Sequence, residues 1–194
     1  MRRVFLIHGW MGSPHGDWLP WLKRELEKKG FDAFAPHMPE PAKPEIKSWI
    51  SQIDGAVGLP DAETYFVGHS VGCQAVLRYL AATGGEIGGA VLIAPWFSLA
   101  AGALETAEDE AIAEPWLKTP IDFEKIREAT GKFTAIFSDN DPWVDWQENS
   151  EIVKEKLGAK TVILHEQGHF SEMVGGVLEL PVVLAEILKI AGRV

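Results

Sequence analysis

The 194-residue chain has one cysteine, Cys73, and no charge excess of the basic sign. A lone cysteine excludes an internal disulfide framework and points to a reducing, cytoplasmic setting. Eighteen basic residues stand against 28 acidic ones, a formal net charge of −10. That balance argues against nucleic acid and anionic membrane surfaces as partners. Long hydrophobic runs are also missing. The opening MRRVFLIHGW is basic and then apolar, but VFLI is too short for the core of a signal peptide, and nothing approaches the length of a membrane span. Linkers, repeats and low-complexity tracts are absent too, so residues 1–194 are expected to form a single domain.

What the chain does have is an ordinary globular composition, with 46% hydrophobic residues and eight tryptophans. Trp10, Trp18, Trp96, Trp143 and Trp146 fall in or beside stretches read as loops, which points to an aromatic-lined site. Core packing accounts for about half of such residues. Short apolar runs rich in β-branched or aromatic residues alternate with helix-like segments. The runs 3–7, 31–36, 64–69, 88–95, 132–138 and 161–165 read as strands. Helices are expected near 18–29, 45–57, 71–83, 122–129, 144–157 and 176–191. This alternation implies crossover connections and an α/β fold, a mostly parallel sheet with helices on both faces. The acidic, Ala-rich stretch 96–131 stands where a lid could form, contributing Trp96 or Trp116, or else packs as surface helices.

Two motifs compete for the chemistry. HEQGH, residues 165–169, fits H-E-x-x-H, in which two histidines one helical turn apart hold zinc and the glutamate activates its water. That reading would draw a third ligand from a downstream glutamate such as Glu186. It requires a helix, yet a β-branched strand run leads into His165 and Gly168 interrupts the motif. The second motif is Gly68-His69-Ser70-Val71-Gly72, a G-x-S-x-G between a strand run and a helix. Such a strand-to-helix turn demands small flanking residues and lifts the serine off the sheet edge. The bland alternative is a glycine turn whose serine merely caps the helix.

Given Ser70 as nucleophile, chain order restricts its partners. In the nucleophile-acid-histidine order only His165 and His169 remain as bases. Gly168-His169-Phe170 lies in the loop past the last strand, so His169 is the candidate base and His165 a structural residue at the strand end. Asp139 and Asp141 compete as the acid. D-P-x-V favours Asp141, because Pro142 fixes the turn ahead of the next helix, leaving Asp139 a turn role and Asp145 a place in the first helical turn. Oxyanion donors are expected at the backbone N–H of Val71 and of Trp10, in the His8-Gly9-Trp10-Met11-Gly12 loop, with His8 fixing that loop. Trp96, Trp143 and Phe170 are candidate pocket residues. Cys73, three residues past Ser70, reads as a small buried side chain.

The stretches HGW, GHSVGC, SDNDPWV and GHF resemble the small α/β-hydrolases of the retinoblastoma-binding-protein-9-like serine hydrolase family. WLPWLK at 18–23, HMPEP at 37–41 and the DPW followed by Trp146 extend the likeness over nearly the whole chain. The resemblance implies a minimal α/β-hydrolase fold, six strands in the order 2-1-3-4-5-6, without a full cap domain. It implies Ser70, Asp141 and His169 as a triad, no metal or organic cofactor, and a carboxylesterase-like action on small esters or amides. A binding protein that keeps the pocket without the catalysis is the other functional class the sequence allows.

Overall fold

The computed structural model describes residues 2–193. Six strands form one sheet: β1 (Arg3–Ile7), β2 (Asp32–Phe34), β3 (Thr64–His69), β4 (Gly89–Ile93), β5 (Phe133–Ser138) and β6 (Lys160–Leu164). Their order is β2-β1-β3-β4-β5-β6 and every neighbouring pair is parallel. The central strands β3, β4 and β5 are buried along their full length. Their sequences TYFVGH, GAVLI and FTAIFS are correspondingly apolar throughout rather than alternating, as a strand covered on both faces must be.

Among the described residues six helices lie between the strands, α1 (Leu19–Lys28), α2 (Ile46–Val57), α3 (Val71–Thr83), α4 (Ala107–Lys118), α5 (Phe123–Ala129) and α6 (Trp146–Leu157), and a seventh, α7 (Pro181–Ile190), follows β6. The α1 crossover carries the chain from β1 outward to β2, whereas the later crossovers run in the opposite direction. Right-handed crossovers then place α1 on one face and α2, α3, α5 and α6 on the other. The packing agrees: α1 touches α7, while α2, α3, α5 and α6 contact one another in series. Local signals set the helix ends. Pro20 opens α1. Asp145 caps α6 by accepting from the N–H groups of Gln147 and Glu148, and Gly158 ends it at φ 64°, ψ 23°. Asp145 is therefore the cap, not a first-turn residue.

The stretch 96–131 folds into α4, begun by a Thr106–Asp109 capping box, and α5. Trp116 is buried against Trp49 and its indole donates to the Pro44 carbonyl at 2.9 Å. Trp96 is likewise buried. Both rings are thus committed to packing, as in the surface-helix reading of this segment. No helix among the described residues is long and apolar enough to cross a membrane.

The chain reverses its direction of travel across the sheet between β1 and β3. In open α/β sheets ligands bind at the carboxyl ends of the strands on either side of such a reversal. The loop after β1 holds His8–Gly12, and the turn after β3 holds Ser70.

Candidate active site

Ser70 sits at φ 55°, ψ −123°, a conformation that costs an L-residue on the order of 1–3 kcal/mol. Neighbouring contacts leave the chain no alternative. A Cβ on Gly72 would lie 2.5 Å from the Ile7 carbonyl oxygen and 2.6 Å from that of His8. A Cβ on Gly68 would lie 2.8 Å from Cys73 Cα. The strand can therefore meet the helix this closely only because both flanking positions are glycine. The Ser70 side chain does not cap α3, so the capping alternative fails. Cys73 is buried with its thiol directed at the carbonyls of Gly68 and Ile93, and burial pushes that thiol up to where no thiolate forms.

The candidate acid and base lie in the loops after β5 and β6, and residues 138–141 each bond to the second of these loops. Ser138 Oγ accepts from Gln167 N–H at 2.9 Å, and Asp139 Oδ1 accepts from Glu166 N–H at 2.9 Å. Asn140 Oδ1 accepts from Gly168 N–H at 2.8 Å. Asp141 Oδ2 accepts from His169 Nδ1 at 2.7 Å, with only 2% of the Asp141 side chain and 7% of the His169 side chain exposed. The other Asp141 oxygen accepts from the N–H groups of Trp143 and Val144 at 3.0 and 3.1 Å, the turn that Pro142 presets. An aspartate held on three donors fixes the imidazole with Nδ1 protonated and Nε2 free to accept.

HEQGH is not helical. Glu166 and Gly168 have φ values of 52° and 55°, left-handed positions that a right-handed helix cannot contain. His165 stands one residue past the end of β6 rather than within it, and 79% of its side chain is exposed. It donates to Asp139 Oδ2 at 2.7 Å, which raises the His165 pKa through that hydrogen bond and the nearby negative charge. Asp139 is thus a partner for a second histidine, a role the turn assignment missed. Glu186 binds Lys160 and Lys189 at 2.8 Å, beside the start of β6 and so at the far end of that strand from His165. The three ligands of the zinc reading do not converge.

His8 fixes its loop as expected. Met38 N–H donates to His8 Nε2 at 3.1 Å, so Nδ1 carries the proton and donates to the Gly9 carbonyl at 2.9 Å. Burial holds this ring neutral by lowering its pKa. A Cβ on Gly9 would lie 3.2 Å from Ser70 Cβ, which puts the loop directly against the serine. Within the loop, Met11 N–H donates to the Pro41 carbonyl and Gly12 N–H to that of Gly9. The N–H of Trp10 enters no such backbone bond among the described residues. Val71, as the first residue of α3, has no carbonyl one turn earlier to bond. Neither of these N–H groups is thus taken by a backbone carbonyl among the described residues.

Of the pocket candidates, Trp143 is partly exposed and its ring meets that of His169 edge-on, with centroids 4.8 Å apart. Trp96 and Phe170 are buried, at 2% and 0% exposure, and offer little surface to a ligand. Sequence reasoning passed over His69. Its Nε2–H donates to the His169 carbonyl at 2.8 Å and its ring lies 5.2 Å from that of His169. The residue before Ser70 thus reaches the backbone of the Asp141–His169 pair. No sequence pattern marks that contact, because the partner is a carbonyl one hundred residues away.

Residues 4–186 match the family described as serine hydrolase. The YdeN protein of Bacillus subtilis (strain 168) is 29% identical over 184 residues, 94% of this chain and 92% of that one. The rat serine hydrolase RBBP9 is 26% identical over 164 residues, 84% of this chain and 78% of its own. Among solved structures, the B. subtilis ydeN gene product superposes with a TM-score of 0.87 at 25% identity, covering 99% of this chain and 100% of the other. Est1E of Butyrivibrio proteoclasticus shares the fold alone, at TM-score 0.72 and 16% identity over 98% of this chain and 88% of its own. With an α/β-hydrolase sheet, a strained serine at its turn and a match spanning most of its length, this chain belongs to the serine hydrolase family.

Proposed function

We propose that the protein hydrolyses small carboxylic esters through Ser70, His169 and Asp141 by way of an acyl-enzyme. The observation that carries this reading is an uncapped serine in a strained turn whose neighbour His69 bonds to the backbone of a buried aspartate–histidine pair, itself joined by a 2.7 Å hydrogen bond. Ser70 Oγ attacks the ester carbonyl while His169 Nε2 takes its proton, and Asp141 stabilises the resulting imidazolium without becoming protonated. The N–H groups of Trp10 and Val71 receive the oxyanion. As the tetrahedral species collapses, the C–O bond to the leaving group breaks and the alcohol takes the proton from His169. Water then loses a proton to His169, attacks the acyl carbon, and Ser70 regains that proton as it departs. The sequence uses only side chains and backbone of this chain.

Esters are favoured over amides because an alkoxide leaving group asks less of the general acid. Trp143 is partly exposed and meets His169 edge-on, and Trp10, in the loop whose Gly9 lies against Ser70, is partly exposed as well, which supports an apolar acyl or leaving group. The buried, unpaired Cys73 accords with a reducing compartment such as the cytoplasm. A fluorophosphonate probe tests the whole scheme. Wild type is expected to label at Ser70 and to hydrolyse p-nitrophenyl acetate in the presence of EDTA, and Ser70→Ala to lose several orders of magnitude in rate while remaining folded. Absence of labelling would assign the chain to the binding-protein class, and near-normal turnover of Ser70→Ala would end the proposal.

A further inference from the structure

The base of the candidate triad stands on a turn that its own sequence disfavours. Phe170 has φ 56°, in the left-handed region, and its bulky side chain is fully buried. An aromatic residue persists there only where its surroundings over-determine it. Local bonding contributes little, a single Phe170 N–H to Gln167 carbonyl bond at 3.1 Å. The two successive carbonyls of the turn are held instead from elsewhere in the fold. His69, at the end of β3, donates Nε2–H to the His169 carbonyl at 2.8 Å. Trp18, immediately before α1, donates Nε1–H to the Phe170 carbonyl at 2.9 Å across 152 residues. Both donors are buried, and they touch edge-on with ring centroids 5.8 Å apart. His69 lies between Trp18 on one side and the His169 ring on the other.

The geometry points to His69 and Trp18 as positioning residues for the general base: together they clamp the His169–Phe170 main chain so that the imidazole stays on Asp141 and faces Ser70. This rests on the reading of Ser70, His169 and Asp141 as the reacting set. Asp141 alone restrains only the ring, which could still swing with its backbone. Two carbonyl anchors remove that freedom, and a misplacement of about 1 Å in a catalytic group costs roughly a hundred-fold in rate. His69 is suited to the task because it does not titrate. Burial, reinforced by the adjacent His169, holds its pKa down at about 3. It therefore keeps its Nε2–H at working pH and does not compete with His169 for the serine proton.

The test uses His69→Leu and Trp18→Phe, which remove one donor each while keeping an apolar side chain, and His69→Gln, whose amide N–H can replace the lost donor. Three readouts are taken on the folded proteins: kcat and KM for p-nitrophenyl acetate, melting temperature, and the far-downfield proton resonance of His169 Nδ1–H. The Leu and Phe variants are expected to lose about a hundred-fold in kcat with KM little changed, and to broaden or lose the downfield resonance. His69→Gln is expected to recover most of both. Folded Leu and Phe variants that melt lower but keep kcat and the resonance would overturn the proposal, since the bonds would then serve stability alone. If His69→Leu fails to fold, Trp18→Phe decides by the same criteria. The resonance reports the His169–Asp141 bond whether or not esters are turned over. A wild type with the resonance but no esterase activity would thus end the hydrolytic reading while still testing the clamp.

Discussion

Replacing His69 by Gln should flatten the dependence of folding stability on pH, by an amount that follows from burial. In the folded protein the ring stays neutral until pH falls to about 3, whereas in the unfolded chain it protonates below 6.5. Between these values the unfolded state binds the extra proton, so stability rises with pH through the window and is lost as pH falls. The whole gap corresponds to ~5 kcal/mol at 1.36 kcal/mol per pH unit, a third or more of a typical domain's ~5–15 kcal/mol. The interval from pH 5 to 6 isolates it best. Asp61 and Asp139 are held below the ordinary carboxylate range, Asp61 chiefly by its Thr64 hydrogen bond and Asp139 by His165. Both therefore remain ionised there. His165, with its raised pKa, is protonated in both states and contributes a constant amount. His8, whose pKa burial also lowers, adds a slope of its own to both proteins. Urea unfolding at pH 5.0, 5.5 and 6.0 should then show wild type gaining ~1.2 kcal/mol more across the interval than His69→Gln. Equal slopes would refute the claim that a neutral, buried His69 is part of the native state.

Other expectations follow from single contacts. Asp141→Asn should lower kcat by about 10³–10⁴-fold with the fold retained, because an amide no longer selects the tautomer with Nδ1 protonated; steady-state kinetics on the purified variant decides it. Gly72→Ala should destabilise by at least ~2 kcal/mol, since its Cβ meets two β1-end carbonyl oxygens at 2.5 and 2.6 Å. Gly55→Ala, within α2 with no atom near the new Cβ, should instead stabilise by ~0.5–1 kcal/mol. Thermal melts of the two variants moving in the same direction would contradict the packing argument. Asp139→Asn should return the His165 pKa from above 6.5 toward its ordinary value, as read by proton NMR titration. The stability contributed by that pair is full below pH 6.5 and disappears as pH rises through the folded value, so Asp139→Asn should matter least in alkaline solution.

Much of the architecture was legible in the chain because it is written locally. Apolar runs of strand length alternating with helix-like segments led to the six strands and their parallel arrangement, and the runs 64–69 and 71–83 coincide with β3 and α3. The order β2-β1-β3-β4-β5-β6 came from the family resemblance, which the sheet confirms. Where boundaries slipped, a reason is visible. The last strand run was read as 161–165, but β6 ends at Leu164 because Asp139 draws His165 out toward the neighbouring loop. The final helix begins at Pro181 rather than near 176, since Gly176 sits at φ 65°, Leu180 is not yet helical at φ −135°, ψ 73°, and Pro181 opens the first turn.

Ser70, Asp141 and His169 could be proposed from motif, chain order and turn chemistry alone, since each lies within two residues of a glycine or proline whose backbone constraint is a property of the residue itself. Choosing among the rest was beyond any local pattern. Asp139 and Asp141 are two residues apart, His165 and His169 four, and each aspartate takes a different histidine only because β5 and β6 lie side by side with their ends level. Trp96 and Phe170 read as pocket residues from loop position, yet burial is a property of what covers a side chain, and the covering comes from distant segments. His69 and Trp18 meet the base through backbone carbonyls, which every residue possesses and no sequence can mark. The candidate nucleophile is thus marked by local backbone sterics, whereas the bonds that hold the Asp141–His169 pair in place exist only once the sheet has brought three separate loops to one edge.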